Sequence, residues 1–282
     1  MIRGLYTGAS GMSAQQVRLD AISNNLANVD TNGYKRDVAI HKSFSQLLLR
    51  RMNDDGVTLN PFGSADVAPV IGKIGTGVES NEIFTELEQG ALKQTENDFD
   101  LAMDGSGYFA IATPYGERYT RNGAFVLGKE GFLETKEGYK VLGKNGPIEV
   151  KANNFKVDKE GNVFVNRSFQ DDPFRLVSRE ENTWDRLEKL DTLKIVDFKK
   201  DRFLAKQGSS LWKATEESGE ASVLTRGELP KVVQGFVEAS NVNPVLEMVR
   251  MIEVNRAYEA NQKTIQSEDS MLNKLINEVV RV

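Results

Sequence analysis

Cysteine is missing from this chain of 282 residues, which excludes disulfides, zinc thiolate sites, iron–sulfur clusters and thiol catalysis together. Histidine occurs once, as His41, so a histidine-based triad would have to be built around a single residue in a connecting segment. The longest unbroken apolar run, Tyr108 to Ala112, is far too short to cross a bilayer. A basic excess is lacking too. The net charge of −5 and pI near 5.3 give no general reason to expect nucleic acid, because phosphate binding needs a basic footprint. The opening "MIRGLYTGASGM" is interrupted by Gly4, Gly8 and Gly11 and has no apolar core of a secretory signal. The expectation is a cytoplasmic chain, or one exported without a cleaved signal peptide.

What is present, 39% hydrophobic and 27% charged residues, suffices for one large domain or two modest ones. Leu5, Met12, Leu19 and Leu26 recur every seventh residue, with Ile22 and Val29 in a companion row, as in a helix with a seam. Its stop signal is "DTNGYK", where Asn32-Gly33 offers a left-handed backbone position. Near the other end, Asn243-Pro244 reads as an N-cap and first helical residue, and neither glycine nor proline follows from Val245 to Val282. Met251, Tyr258, Ile265 and Leu272 again fall every seventh residue, with Val254 and Leu275 beside them. A helix of roughly 35 residues is about 50 Å long.

Between these ends the pattern changes. From about Phe99 to Leu224 short glycine-punctuated runs predict a β-rich, mainly antiparallel domain, and Lys-Glu-Gly at Lys129, Lys136 and Lys159 marks tight turns. The segment "WDRLEKLDTL", Trp184 to Leu193, reads as a short helix or turn. Lys35 to Asp98 reads as an uneven connector with segregated charge. Lys35, Arg36, Lys42, Arg50 and Arg51 form a basic patch, and Glu79, Glu82, Glu86 and Glu88 open an acidic stretch ending at Asp104.

Chemistry is thin. "GKIGTG", Gly72 to Gly77, lacks the strand-then-helix context of a phosphate cradle and reads as an ordinary loop. "DKEGN" at Asp158 has the wrong spacing for an EF-hand and reads as a hairpin turn. Asp98, Asp100 and Asp104 crowd together and supply the one enzymatic alternative, a cell-wall hydrolase working through paired carboxylates. The expectation is no catalytic, cofactor or metal site.

Two seams at opposite chain ends find their first partner in each other, and uncovered apolar faces mark a protein interface. If the face of one copy fits a different face of the next, the assembly is a helical filament or tube. Asn24, Asn25, Asn28 and Asn241 are then candidates for setting register by side-chain amide bonds. The first three equally suit a helix end and its exit turn. Gly4 and Gly8 suit either close helix approach or fraying.

"NNLANVDTNGYKR", Asn24 to Arg36, closely resembles the N-terminal motif of bacterial flagellar axial proteins, the family of rod and hook subunits. "SNVNPVLEMVRMIEVNRAYEANQKTIQSEDSMLNKLI", Ser240 to Ile276, resembles its C-terminal motif, and "DLAMDGSGYFAI" with "YTRNGAFVLGKEGFL" its central segment. Within the family the two chain ends are most similar to proximal rod subunits, with distal rod subunits as the alternative. The resemblance implies an α+β multi-domain subunit of the basal-body rod. Residues 1–33 with 241–282 would pair as a coiled-coil core, 34–98 with 226–240 would form a tube-wall connector, and 99–225 an outer β domain. It also implies as partners further copies, other rod proteins, the flagellar type III export apparatus, and ring or bushing proteins.

Overall fold

The computed structural model describes residues 2–50, 57–60, 63–66, 70–150, 155–165, 188–208, 210–224 and 230–279. The fold is α+β, with helix α1 (Ile2–Ala27) opening the chain and helix α2 (Pro244–Val279) closing it. Two compact units result. Unit one holds residues 1–24, 37–84 and 245–282; unit two holds 25–36 and 85–244.

In unit one the two helices run antiparallel. A Cβ added to Gly4 would meet Glu268, at Gly8 it would meet Ile265, and at Gly11 Asn261; one number falls as the other rises. Spacings of four and three put these glycines on one face of α1, and without side chains there α2 lies close. At Gly8 the added carbon would sit 2.9 Å from Ile265 Cγ1. The glycines therefore serve close approach. Ala14, Ala21 and Ile22 are buried on α1, and Val254 on α2.

The supposed connector contains a two-stranded ribbon of Asp37–Arg50 and Val70–Thr85. "GKIGTG" is thus part of a strand, not the expected loop. β-Branched Ile71, Ile74, Thr76 and Val78 carry the extended conformation, and Gly75 and Gly77 clear space for Ser43 and Ser10. Thr76 carbonyl accepts from the Thr7 hydroxyl at 2.5 Å, and the Val78 N–H donates to Ser10 Oγ at 3.2 Å.

Unit two is built on antiparallel sheets. In the largest, Ala205–Gln207, Leu211–Lys213, Gly116–Thr120, Tyr108–Thr113, Lys140–Val141, Leu133–Thr135 and Phe125–Leu127 follow in that order, and Ile195–Asp197 pairs both Tyr108–Thr113 and Ser222–Val223. A second sheet joins Phe155–Val157, Asn162–Val165 and Glu188–Thr192. The expected helix or turn over Trp184–Leu193 is therefore corrected at Glu188–Thr192, which is a strand; residues 184–187 lie outside the described residues. Its charged composition hides a pairing that Asn162–Val165 imposes. The three Lys-Glu-Gly turns stand as expected, with Gly131, Gly138 and Gly161 at φ of 82°, 86° and 74°, a region open to glycine.

One buried cluster gathers Leu101, Phe109, Ile111, Phe125, Leu133, Phe155 and Ile195, and a second gathers Tyr108, Tyr119, Phe198 and Trp212. The Tyr119 and Phe198 rings meet edge-on at 4.9 Å. Burial, then the nearby Glu117 carboxylate, pushes the Tyr119 hydroxyl up to about 12, and burial raises Tyr108 as well. An unfolded tyrosine ionises near 10, so between about pH 10 and 12 Tyr119 holds its proton longer in the folded chain than in the unfolded one and contributes a loss of stability there. Stability should therefore hold below that window and fall through it. Urea midpoints across the window should decline less steeply in Tyr119→Phe, and an unchanged slope would contradict this assignment.

Candidate functional site: a buried charge cluster and exposed helix and ribbon faces

Helix α1 ends where the asparagines begin. Asn28 N–H donates to Asn25 carbonyl, Thr31 N–H to Asn28 carbonyl and Tyr34 N–H to Thr31 carbonyl, each at 3.2 Å, so the exit is a run of tight turns. Asn25 is fully buried and its amide oxygen accepts from the Tyr34 hydroxyl at 3.2 Å. Asn28 Oδ1 accepts from the Thr31 hydroxyl at 3.2 Å, and Asn24 is exposed. Gly33, at φ 70°, donates its N–H to Glu238 carbonyl at 2.8 Å, and an added Cβ would lie 2.5 Å from Asn122 N.

This turn delivers Lys35 into the interior of unit two. Lys35 and Glu238 are each 1% exposed; the ammonium donates to the Glu238 carboxylate and, at 2.7 Å, to Glu88 carbonyl. Gly90 N–H adds a bond to Glu238 Oε1 at 3.0 Å, and Arg121 Nη1 stands 3.6 Å from Oε2 while donating to Gly105 carbonyl at 2.8 Å. Burial lowers the Lys35 pKa, Glu238 opposes that shift, and Arg121 adds to it. Alongside, Asn241 Oδ1 accepts from Arg36 N–H at 2.8 Å and Nδ2 donates to Glu86 carbonyl at 2.9 Å; Arg36 pairs with Glu86 at 2.9 Å. Residues 25–36, 86–90 and 238–241 are thus tied together within unit two.

The other sequence candidates are placed as follows. Leu5, Met12, Leu19, Met251, Tyr258, Ile265 and Leu272 are half-buried in unit one, as is Leu26 in unit two. Apolar side chains stand exposed along α2 at Val245, Leu246, Met248, Val249, Ile252, Met271, Leu275 and Ile276, and on the ribbon at Phe44, Leu47, Leu48, Ile71 and Ile74. Lys42 lies 3.8 Å from Glu79, and Glu82 is exposed. The Arg50 side chain and Arg51 lie outside the described residues. Asp100 Oδ1 accepts from Asn97 Nδ2 at 3.2 Å, Asp98 carbonyl accepts from Gln234 Nε2 at 2.9 Å, and Asp104 ends a strand opposite Lys231. Among the described residues no group of three or more His, Asp or Glu side chains could hold a metal, and no helix is long and apolar enough to cross a membrane.

Three family models match: flagella basal body rod protein over residues 5–35, flagellar hook protein FlgE/F/G D1 domain over 102–165, and flagellar basal body rod FlgEFG protein C-terminal over 233–278. The chain is 34% identical over 98% of its length to the flagellar basal-body rod protein FlgG of Buchnera aphidicola subsp. Baizongia pistaciae, covering 99% of that protein. It belongs to the flagellar basal-body rod protein family. FlgG proteins of Borreliella burgdorferi and Bacillus subtilis are likewise 34% identical, over 96% and 98% of this chain and 97% and 99% of their own. In this rod-family chain each matched segment contributes one member of the buried cluster: Lys35, Arg121 and Glu238.

Sequence reasoning missed that cluster. It grouped Lys35 with the surface bases and passed over Glu238, although a carboxylate directly after Phe236-Val237 in a short strand was a usable signal. Removing one partner of a buried pair strands the other charge, at about 3–5 kcal/mol. Lys35→Met should lower unfolding stability by about that amount, and Gly33→Ala by at least about 1 kcal/mol from positive φ and the close Asn122 backbone. Chemical denaturation measures both; a Lys35→Met loss under about 1 kcal/mol would mean the pair is solvated.

Proposed function

We propose that this chain is a non-enzymatic structural subunit of the flagellar basal-body rod, and that many copies stack into a stiff hollow shaft that transmits torque and passes exported proteins through its lumen. The observation that carries this reading is the row of exposed apolar side chains on α2 and the ribbon of unit one, in a chain alike over nearly its whole length to rod proteins. An apolar surface on that scale is stabilised by a partner, and a head-to-tail contact that does not close gives a shaft.

The antiparallel α1 and α2 would form a coiled-coil core, with Leu5, Met12, Leu19, Leu26, Met251, Tyr258, Ile265 and Leu272 as its packing seam. Asn24, Asn25, Asn28 and Asn241 would hold register, beginning with the bonds that Asn25, Asn28 and Asn241 make within one chain. The three-part division into core (1–33, 241–282), wall (34–98, 226–240) and outer domain (99–225) follows the same logic. Strand pairing of Leu101–Asp104 with Lys231–Gln234 favours extending the outer domain to include that last strand. Full-length likeness to proteins named FlgG favours that type of subunit over the proximal FlgF type suggested by the terminal motifs. The chain would work in the basal body, exported by the flagellar type III apparatus without a cleaved signal and meeting other rod proteins and the surrounding rings.

Ile252→Asp and Leu275→Asp, both on exposed positions, should leave monomer stability within about 0.5 kcal/mol of wild type while abolishing polymers seen by sedimentation and electron microscopy. Undiminished polymerisation of both variants would refute the reading. The pairs Arg36–Glu86 and Lys42–Glu79 support docking of the basic patch on the acidic stretch. Reversing Arg50 and Arg51 to Glu should weaken assembly most at low salt, where screening is least; equal assembly at every ionic strength would remove that contact from the scheme.

A further inference from the structure

Unit two carries a cavity that the structural role does not use. It has a volume of about 260 Å³ and lies where three hairpin tips converge: Thr113 and Tyr115, Glu137 and Tyr139, and Gln207, Gly208 and Ser210. Leu211 lines its wall, and so does Arg118.

Arg118 is the unexplained group. The residue is only 7% exposed, so its guanidinium is largely enclosed, and a counter-charge stabilises a cation in that setting. Its Nε donates to Gln207 Oε1 at 2.6 Å and its Nη1 to Glu117 carbonyl at 2.9 Å. Among the described residues no carboxylate lies within ion-pair distance of it: Glu117 instead pairs with Lys194 at 2.8 Å. Nη2, with two N–H donors, has no protein partner among the described residues. A buried cation with a free donor edge on an open cavity fits a carboxylate.

The rest of the lining narrows the ligand. Tyr115, 77% exposed, and Tyr139 offer aromatic faces, while Gln207 keeps its amide donors and Ser210 adds a hydroxyl; the Thr113 hydroxyl already donates to Gly116 carbonyl at 2.6 Å. Glu137 is an exposed carboxylate on the same cavity; it accepts hydroxyl protons and disfavours a multiply charged anion such as phosphate. Aromatic faces against C–H groups, amides and carboxylate for hydroxyls, and one guanidinium for one negative charge describe a sugar ring bearing a single carboxylate. We propose that this cavity binds an acidic saccharide unit, with Arg118 holding its carboxylate and Tyr115 its ring.

The test is titration calorimetry on the full chain with a disaccharide containing one glucuronate, its uncharged glucose counterpart, and an acidic dipeptide of similar size. The uronate should bind at least about tenfold tighter than the neutral sugar, the worth of one charge-assisted bidentate contact, and the preference should shrink with salt. Arg118→Gln should erase the preference. Should that variant fail to fold, Arg118→Lys, which keeps the charge but loses the planar fork, should reduce it severalfold. Tyr115→Ala, at an exposed tip, should weaken both sugars about threefold through loss of one aromatic face. Equal binding of the two sugars, tighter binding of the dipeptide, or no uronate binding by the wild-type chain would each overturn the assignment.

Discussion

A lysine, a glutamate and an arginine enclosed together dictate much of unit two. Two opposite charges removed from water are costly unless geometry and extra hydrogen bonds compensate, and here the compensation is drawn from the backbone. Lys35 reaches Glu88 carbonyl, Glu238 takes Gly90 N–H, and Arg121 takes Gly105 carbonyl. Each satisfied bond fixes another stretch of chain. These bonds hold the segment after α1 and the segment before α2 beside each other.

The two units solve burial differently. Unit two gathers aromatic and branched side chains at or near zero exposure into its own core. Unit one packs α1 on α2 through glycines, which brings backbones close but buries little side-chain area per residue. Its remaining apolar surface is left on α2 and the ribbon. One unit thus hides its apolar side chains internally, while the other leaves part of its own exposed.

How much could be read beforehand depended on how local the cause was. Glycine at positive φ announces itself, so the turns at Gly131, Gly138 and Gly161 were legible, and so was α2, with Asn243-Pro244 at its start and no breaker behind. The ribbon was not. Gly75 and Gly77 look like loop residues because their use, making room for Ser43 and Ser10, belongs to segments elsewhere in the chain. Glu188–Thr192 likewise took its conformation from a neighbouring strand. The asparagines were half legible: their pattern suits an exit turn and a register role equally, and nothing in it shows that Tyr34 satisfies the buried Asn25 amide. Lys35 with Glu238, 203 positions apart, lay beyond any local pattern.

That separation has a consequence in time. Closing a loop of that length costs more chain entropy than any hairpin in the molecule, and contacts so remote in sequence form late. Hairpins of the β unit can mature early, whereas the enclosed ion pair must wait until residue 238 is available. A chain that stops short of residue 238 would therefore leave the Lys35 ammonium without its counter-charge.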